Sequence, residues 1–169
     1  HLVEAAKICE AHLRDHGPDS EAYFLLALVR EATGNRNQAV DYLKKVIYLH
    51  PNHYEAMVHL SSLLGLLGDI EGAKSYIRHA LSQLPTTLKH SEIIGIGGTL
   101  RSLSKMIMEK ENVYFKKLHG FAYSIAQQES YFDEIINADE NDLKKLGVKK
   151  ERLDVIQPGL LILTLLIEH

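Results

Sequence analysis

The sequence has no tryptophan and a single cysteine, Cys9. One thiol cannot close an internal disulfide, so folding rests on packing, and the usage suits a reducing compartment; a cytoplasmic location is expected. Cys9 falls in an apolar helical pattern, which reads as a small buried side chain rather than a reactive thiol. Long hydrophobic runs are missing as well. The most apolar stretch, residues 160–167, is eight residues long, against the ~20 needed to cross a bilayer. No signal-peptide pattern is visible either. Neither charge sign dominates: 19 Lys and Arg stand against 22 Asp and Glu, a formal net charge of −3. That balance gives no electrostatic case for nucleic acid. The lysine pairs 44/45, 116/117, 144/145 and 149/150 lie close to acidic residues and read as solvated helix faces. The first residue is His1, not methionine, which reads as a trimmed or excised piece. With 46% hydrophobic and 24% charged residues, the chain can bury the core of one ordinary domain or two small ones.

What is present is repetition. Gly34 recurs as Gly68, Ala39 as Ala73, Tyr42 as Tyr76 and Pro51 as Pro85, each pair 34 apart (85 − 51 = 34). The periodicity predicts one helix over residues 20–33 burying Tyr23, Leu26, Ala27 and a position near Arg30. Gly34 supplies a left-handed turn, and a second helix over 37–49 buries Ala39, Leu43 and Val46 before Pro51 stops it. The design repeats with Met57, Leu60, Ser61 and Leu64, then Gly68, then Ala73, Ile77 and Ala80. Asp69 is placed to cap the last helix. Upstream, Leu2, Ala5, Ala6, Ile8, Cys9 and Leu13 read as an amphipathic helix, the second half of a partial repeat over 1–18.

A helix–turn–helix unit of 34 residues resembles the tetratricopeptide repeat. The usual tryptophan of that family is replaced by Tyr23 and Met57, and its usual tyrosine by Arg30 and Leu64. The stretches HLVEAAKICEAHLRDHGPDSEAYFLLALVREATG and AVDYLKKVIYLHPNHYEAMVHLSSLLGLLGD further resemble the C-terminal repeats of CheR-type chemoreceptor methyltransferases. This resemblance implies a role in binding protein partners; no methyl-donor-binding motif occurs here. Stacked repeats form a concave surface lined by the first helix of each unit, so Arg30, Glu31, His59 and Ser62 are the candidate groove residues. The pairs His12/His16 and His50/His53 have spacings that can bracket a metal. Gly17, Pro18 and Pro51 break the helices beside them, no cysteine or carboxylate completes a zinc-type set, and exposed histidines are the expectation.

After Pro85 the repeat ends. Residues 93–96 read as a short apolar strand, running through Gly97 and Gly98 into a helix over 100–109 that buries Leu100, Leu103, Met106 and Ile107. A strand, a glycine turn and a helix N-terminus bring backbone close to a phosphate or nucleotide, although a tight turn needs glycines in any case. Residues 113–123 read as a strand-like or irregular link. A helix over 125–138 presents Tyr131, Phe132, Ile135 and Ile136 on one face. Asp139 or Asn141 caps a short helix ended by Gly147. A final helix from 151 is expected to kink or restart at Pro158 and Gly159. Glu151 and Asp154 read as a capping or packing pair beside Arg152.

The stretches IIGIGGTLRSLSKMI, KKLHGFAYS and LKKLGVKKERLDVIQPGLLIL resemble the end of the Ppx/GppA phosphatase family, over roughly residues 89–169. The resemblance implies part of an actin-like lobe in which Gly97, Gly98 and Thr99 belong to the nucleotide site. No cofactor is expected in this chain itself; the resemblance implies Mg²⁺ and a nucleotide or polyphosphate only if the phosphatase half is functional. The family's glycine-rich phosphate loops, of Asp-Gly-Ser and Asp-Ile-Gly-Gly-Gly-Ser type, do not occur in these residues. The expected fold is therefore mainly α: a tetratricopeptide array over 1–85 (full repeats 20–51 and 54–85), then a mostly helical fragment over 86–169 with one or two short strands. Each half resembles the C-terminal portion of its own family, and the join near 84–89 reads as an engineered or truncated fusion. The expected function is protein or peptide binding by the repeats, beside a catalytically incomplete phosphatase segment. The alternative is a phosphoanhydride hydrolase completed by a missing lobe. An isolated strand at 93–96 is expected to pair with another chain, reorganise or sit exposed.

Overall fold

The structure, a computed structural model, describes residues 1–84, 93–114 and 117–169. The chain forms two compact units, His1–Leu84 and Pro85–His169. Pro85, the expected stop of the second repeat, and most of the join at 84–89 lie outside the described residues.

The first unit consists of α1 (Leu2–His16), α2 (Ser20–Ala32), α3 (Arg36–Leu49), α4 (Tyr54–Leu66) and α5 (Ile70–Leu81), each packed on the next. Helices α2 to α5 start where a side chain satisfies an orphan amide three residues on. Asp19 accepts from the Ala22 N–H at 2.8 Å, Asn35 from Gln38 at 3.4 Å, His53 Nδ1 from Ala56 at 3.2 Å and Asp69 from Gly72 at 2.9 Å. The ends of α2 and α4 are built alike. Gly34 and Gly68 take φ of 80° and 86°, and the next amide reaches back five residues, Asn35 to the Arg30 carbonyl at 2.8 Å and Asp69 to Leu64 at 2.9 Å. This is the left-handed helix termination that glycine makes inexpensive. Ala27, Ala39, Ala56 and Ala73 are all buried, so small side chains recur among the larger Leu26, Leu43, Met57 and Leu60 of the same core. The predicted inward faces are largely as observed, and the helix bounds agree within a residue.

The first helix departs from expectation. Only Ala6 and Cys9 are buried in α1, while Leu2 and Ile8 are 46% and 63% exposed. Among the described elements α1 packs principally on α2, and one neighbour can cover only one stripe of a helix. His12 and His16 also lie inside α1, with rings stacked 4.7 Å apart, rather than beyond its end.

The second unit comprises α6 (Gly98–Lys110), α7 (Ile125–Asn137), α8 (Glu140–Lys145), a 3-10 turn (Lys150–Arg152) and α9 (Ile156–Glu168). Helix α9 packs on both α6 and α7. Leu103, Met106, Ile107 and Met108 come from α6, Tyr131, Phe132, Ile135 and Ile136 from α7, and Ile156, Leu160, Leu161 and Leu165 from α9. Asp139 caps α8, accepting from Asp142 at 2.8 Å, and Gly147 ends it with φ of 85°.

Three expectations need correction here. No strand occurs among the described residues: 93–96 carries no ladder, and Ile94 and Ile96 are 92% and 90% exposed. Within this chain the segment sits exposed, since among the described residues no second strand is present to accept its hydrogen bonds. Pro158 neither kinks nor restarts the last helix. It occupies the first turn of α9, where an amide has no intrahelical acceptor to lose. Glu151 and Asp154 are exposed and precede α9 rather than lying on it, and the helix begins after Val155 without a side-chain cap.

Gln157 performs a job with no sequence signature. Its Nε2 lies 3.1, 3.0 and 2.8 Å from the carbonyls of Ile135, Ile136 and Ala138, at the C-terminal end of α7. The last carbonyls of a helix lack α-helical donors, and the two N–H bonds of this amide are shared among them from α9.

Candidate functional site

In the first unit, side chains of α2 and α4 meet along a seam. The Phe24 ring sits 4.8 Å from the His53 ring and 5.7 Å from that of His59. Carboxylates flank these contacts: Glu21 Oε1 is 3.7 Å from His53 Nε2, and Glu31 Oε2 is 3.5 Å from His59 Nδ1. His53 Nδ1 accepts the Ala56 amide N–H at the start of α4, which leaves Nε2 as the ring nitrogen that faces Glu21. Of the four candidate groove residues, Glu31 and His59 are thus brought together. Ser62 lies on α4, three residues beyond His59 and half-buried. Arg30 turns toward α1, where Nη2 pairs with Glu10 Oε1 at 2.9 Å. Phe24 and Glu21 were not singled out in the sequence. A signal existed: Glu21, Phe24, Leu28 and Glu31 follow a 3, 4, 3 spacing, one face of a helix.

In the second unit, a cleft of about 260 Å³ opens beside the N-terminus of α6. Helix α6 contributes Gly98, Arg101, Ser102, Lys105, Met106 and Glu109, and the segment leading to α9 contributes Gly147, Val148, Lys149, Glu151 and Arg152. Four cations thus face two carboxylates. The first turn of α6 has unsatisfied amides by construction, and no side chain caps Gly97. The three residues of the Gly-Gly-Thr turn have separate positions. Gly97 has φ of 134° and forms the bend. Gly98 allows the Arg152 guanidinium to approach, for a Cβ built there would stand 2.8 Å from Nη1 and Nη2. Thr99 packs on α9, where a Cβ at Gly159 would meet Thr99 Cγ2 at 2.6 Å. The lysine pairs divide likewise. Lys144 and Lys145 bond Glu140 and Asp142 on the exposed face of α8, whereas Lys149 lines the cleft.

The donor set suits an anion and does not fit a resident Mg²⁺, which needs carboxylate and other oxygen ligands without competing cations. Among the described residues no three His, Cys, Asp or Glu side chains converge as a metal site requires. None of the described helices is long and apolar enough to cross a membrane.

Residues 21–53 match the tetratricopeptide repeat and residues 68–169 the Ppx/GppA phosphatase family. The phosphatase match therefore begins at Gly68, within the second structural repeat, and takes in α5. Over 71 residues, 42% of its length, the chain is 37% identical to the probable biofilm formation methyltransferase WspC of Pseudomonas putida. It is 38% identical over 71 residues to the protein of the same name from Pseudomonas aeruginosa. The aligned segment is 17% of each relative, so the chain spans about a sixth of the curated proteins it matches. These relatives match the repeat half, and the larger family match covers well over half of the sequence. The chain belongs to the Ppx/GppA phosphatase family and carries tetratricopeptide repeats in its first half.

Proposed function

We propose that this chain is a binding module: the repeats hold a protein or peptide segment along the α2/α4 face, beside a phosphatase-type segment without a catalytic set of its own. One observation carries the reading. Phe24, His53 and His59 form an aromatic seam between the first helices of the two repeats, with its carboxylates on the exposed side. Tetratricopeptide arrays generally use that face for recognition. Selection of peptides from a random display library on the purified chain is expected to enrich binders that lose about tenfold or more in affinity to Phe24→Ala, the range of a central aromatic contact. An unenriched library, or binders indifferent to Phe24, overturns the reading.

A second reading rests on the cation-lined cleft. Arg101, Lys105, Lys149 and Arg152 around Gly98 suit a phosphorylated ligand, and this half-site belongs to a phosphoanhydride-hydrolysing centre completed by a lobe that brings the glycine-rich phosphate loops. Inorganic polyphosphate is expected to bind the chain without hydrolysis, more weakly as salt rises, and about tenfold more weakly in a Lys149→Gln/Arg152→Gln variant. Unchanged affinity in that variant removes the cleft from the site; phosphate release by the chain alone contradicts the incomplete-site reading. The juxtaposition of two C-terminal-type segments favours a join of separate origins near residues 84–89, which the parent reading frame tests directly.

A further inference from the structure

Charge on the first unit is segregated by helix. Together α2 and α4 carry Glu21, Glu31 and Glu55 against one cation, Arg30, which is engaged by Glu10. Together α3 and α5 carry five Lys and Arg against two acids, Asp41 and Glu71. The helices that share the aromatic seam are thus the acidic ones. No Lys or Arg of these two helices pairs with Glu21 or Glu31: their polar neighbours on the seam are the His53 and His59 rings, and the Glu21 side chain is 72% exposed.

Resting on the peptide-binding reading above, we infer that the occupant of this face is a basic segment, an extended peptide with two Lys or Arg side chains. Glu21 and Glu31 stand ten residues apart on one helix, about 15 Å along its axis at 1.5 Å per residue. An extended peptide advances about 3.3 Å per residue and alternates its side chains between two faces, so side chains four positions apart, on one face, reach both carboxylates. Phe24 lies between them in the helix and is half-buried, and an aromatic ring attracts a guanidinium. Arginine fits both elements, bidentate on a carboxylate and flat on a ring. An acidic peptide meets the same carboxylates as repulsion.

The test uses three labelled peptides on a Gly/Ser/Ala background, identical except for two arginines, two glutamines or two glutamates with three residues between them. Fluorescence anisotropy with the full chain is expected to rank arginine at least about tenfold tighter than glutamine, with glutamate weakest. Most of that preference disappears in Glu21→Gln/Glu31→Gln, whose fold is verified by circular dichroism. Equal or tighter binding of the glutamate peptide overturns the inference, as does an arginine preference that survives the double substitution. If the neutral or acidic peptide binds and loses affinity in Phe24→Ala, the face is a peptide site and only its charge class is wrong. If none of the three binds, the inference and the peptide-binding reading fall together.

Discussion

A Phe132→Ala variant is expected to lose about 3–5 kcal/mol of stability in the second unit, as buried phenylalanine truncations do. Phe132 is 1% exposed and belongs to a core supplied by three helices, so removing its ring leaves a void bounded by elements that cannot all move in to fill it. It also removes the edge-to-face partner of Tyr123, whose ring centroid lies 6.4 Å away at 84°. Urea denaturation with amide exchange read on α7 and α9 measures the loss, and a value below about 1 kcal/mol contradicts the packing described. The neighbourhood offers a second readout. Burial raises the Tyr123 hydroxyl above the ordinary tyrosine range, opposed by a hydrogen bond with Ser104. A raised folded-state pKa contributes stability below the unfolded value that is lost as pH climbs through the folded one. Admitting water beside Tyr123 brings its titration back toward ~10, so phenolate absorbance in the variant rises at lower pH than in the parent.

Gly159→Ala carries the next largest effect, and its sign is decided by two opposed terms. Alanine in a helix gains about 1 kcal/mol over glycine. Against it stands the approach of α6: the new Cβ meets Thr99 Cγ2 at 2.6 Å, Oγ1 at 3.1 Å and Cβ at 3.3 Å. Rotating Thr99 exchanges one close atom for another, so α6 and α9 must separate, and overpacking of this kind costs about 1–3 kcal/mol. A net loss of up to about 2 kcal/mol is expected. Thr99→Ala removes the two closest atoms, and the double variant is expected to recover most of the loss, giving a favourable coupling in a double-mutant cycle. Absence of coupling shows that Thr99 is not the packing partner. The same cycle separates the packing role of Thr99 from the cleft, where Gly98 and Arg152 stand.

The repeat half was legible because each element announces itself locally. Gly34 and Gly68 sit one residue past a helical pattern, Asp69 precedes one, and alanines recur where helices approach. The second unit was legible in its helices and less so in its site. Residues 93–96 have strand composition, but a strand exists by pairing, and apolar content alone cannot supply a partner. Pro158 was expected to interrupt a helix because its damage depends on position within the helix, which a start one turn earlier would have made real. Arg101 and Lys105 share a helix face and could have been paired by spacing, but nothing local relates them to Lys149 and Arg152, over 40 residues on. The exposure of Ile8 follows from the helix having one principal neighbour, a property of the array and not of α1.

The three carbonyls gathered by Gln157 have a consequence for the cleft. An amide that reaches the last turn of α7 from the first turn of α9 fixes the rotational phase of α9 about its own axis, for turning or sliding that helix by one residue would carry the donor away. Gln157 is two residues from Gly159, against which Thr99 is seated, and five from Arg152 in the cleft wall. The guanidinium stands in the turn that leads into this helix, so the phase of α9 constrains where that turn can place it. Substitution at residue 157 is therefore expected to alter the aperture of the cleft without removing any cation that lines it.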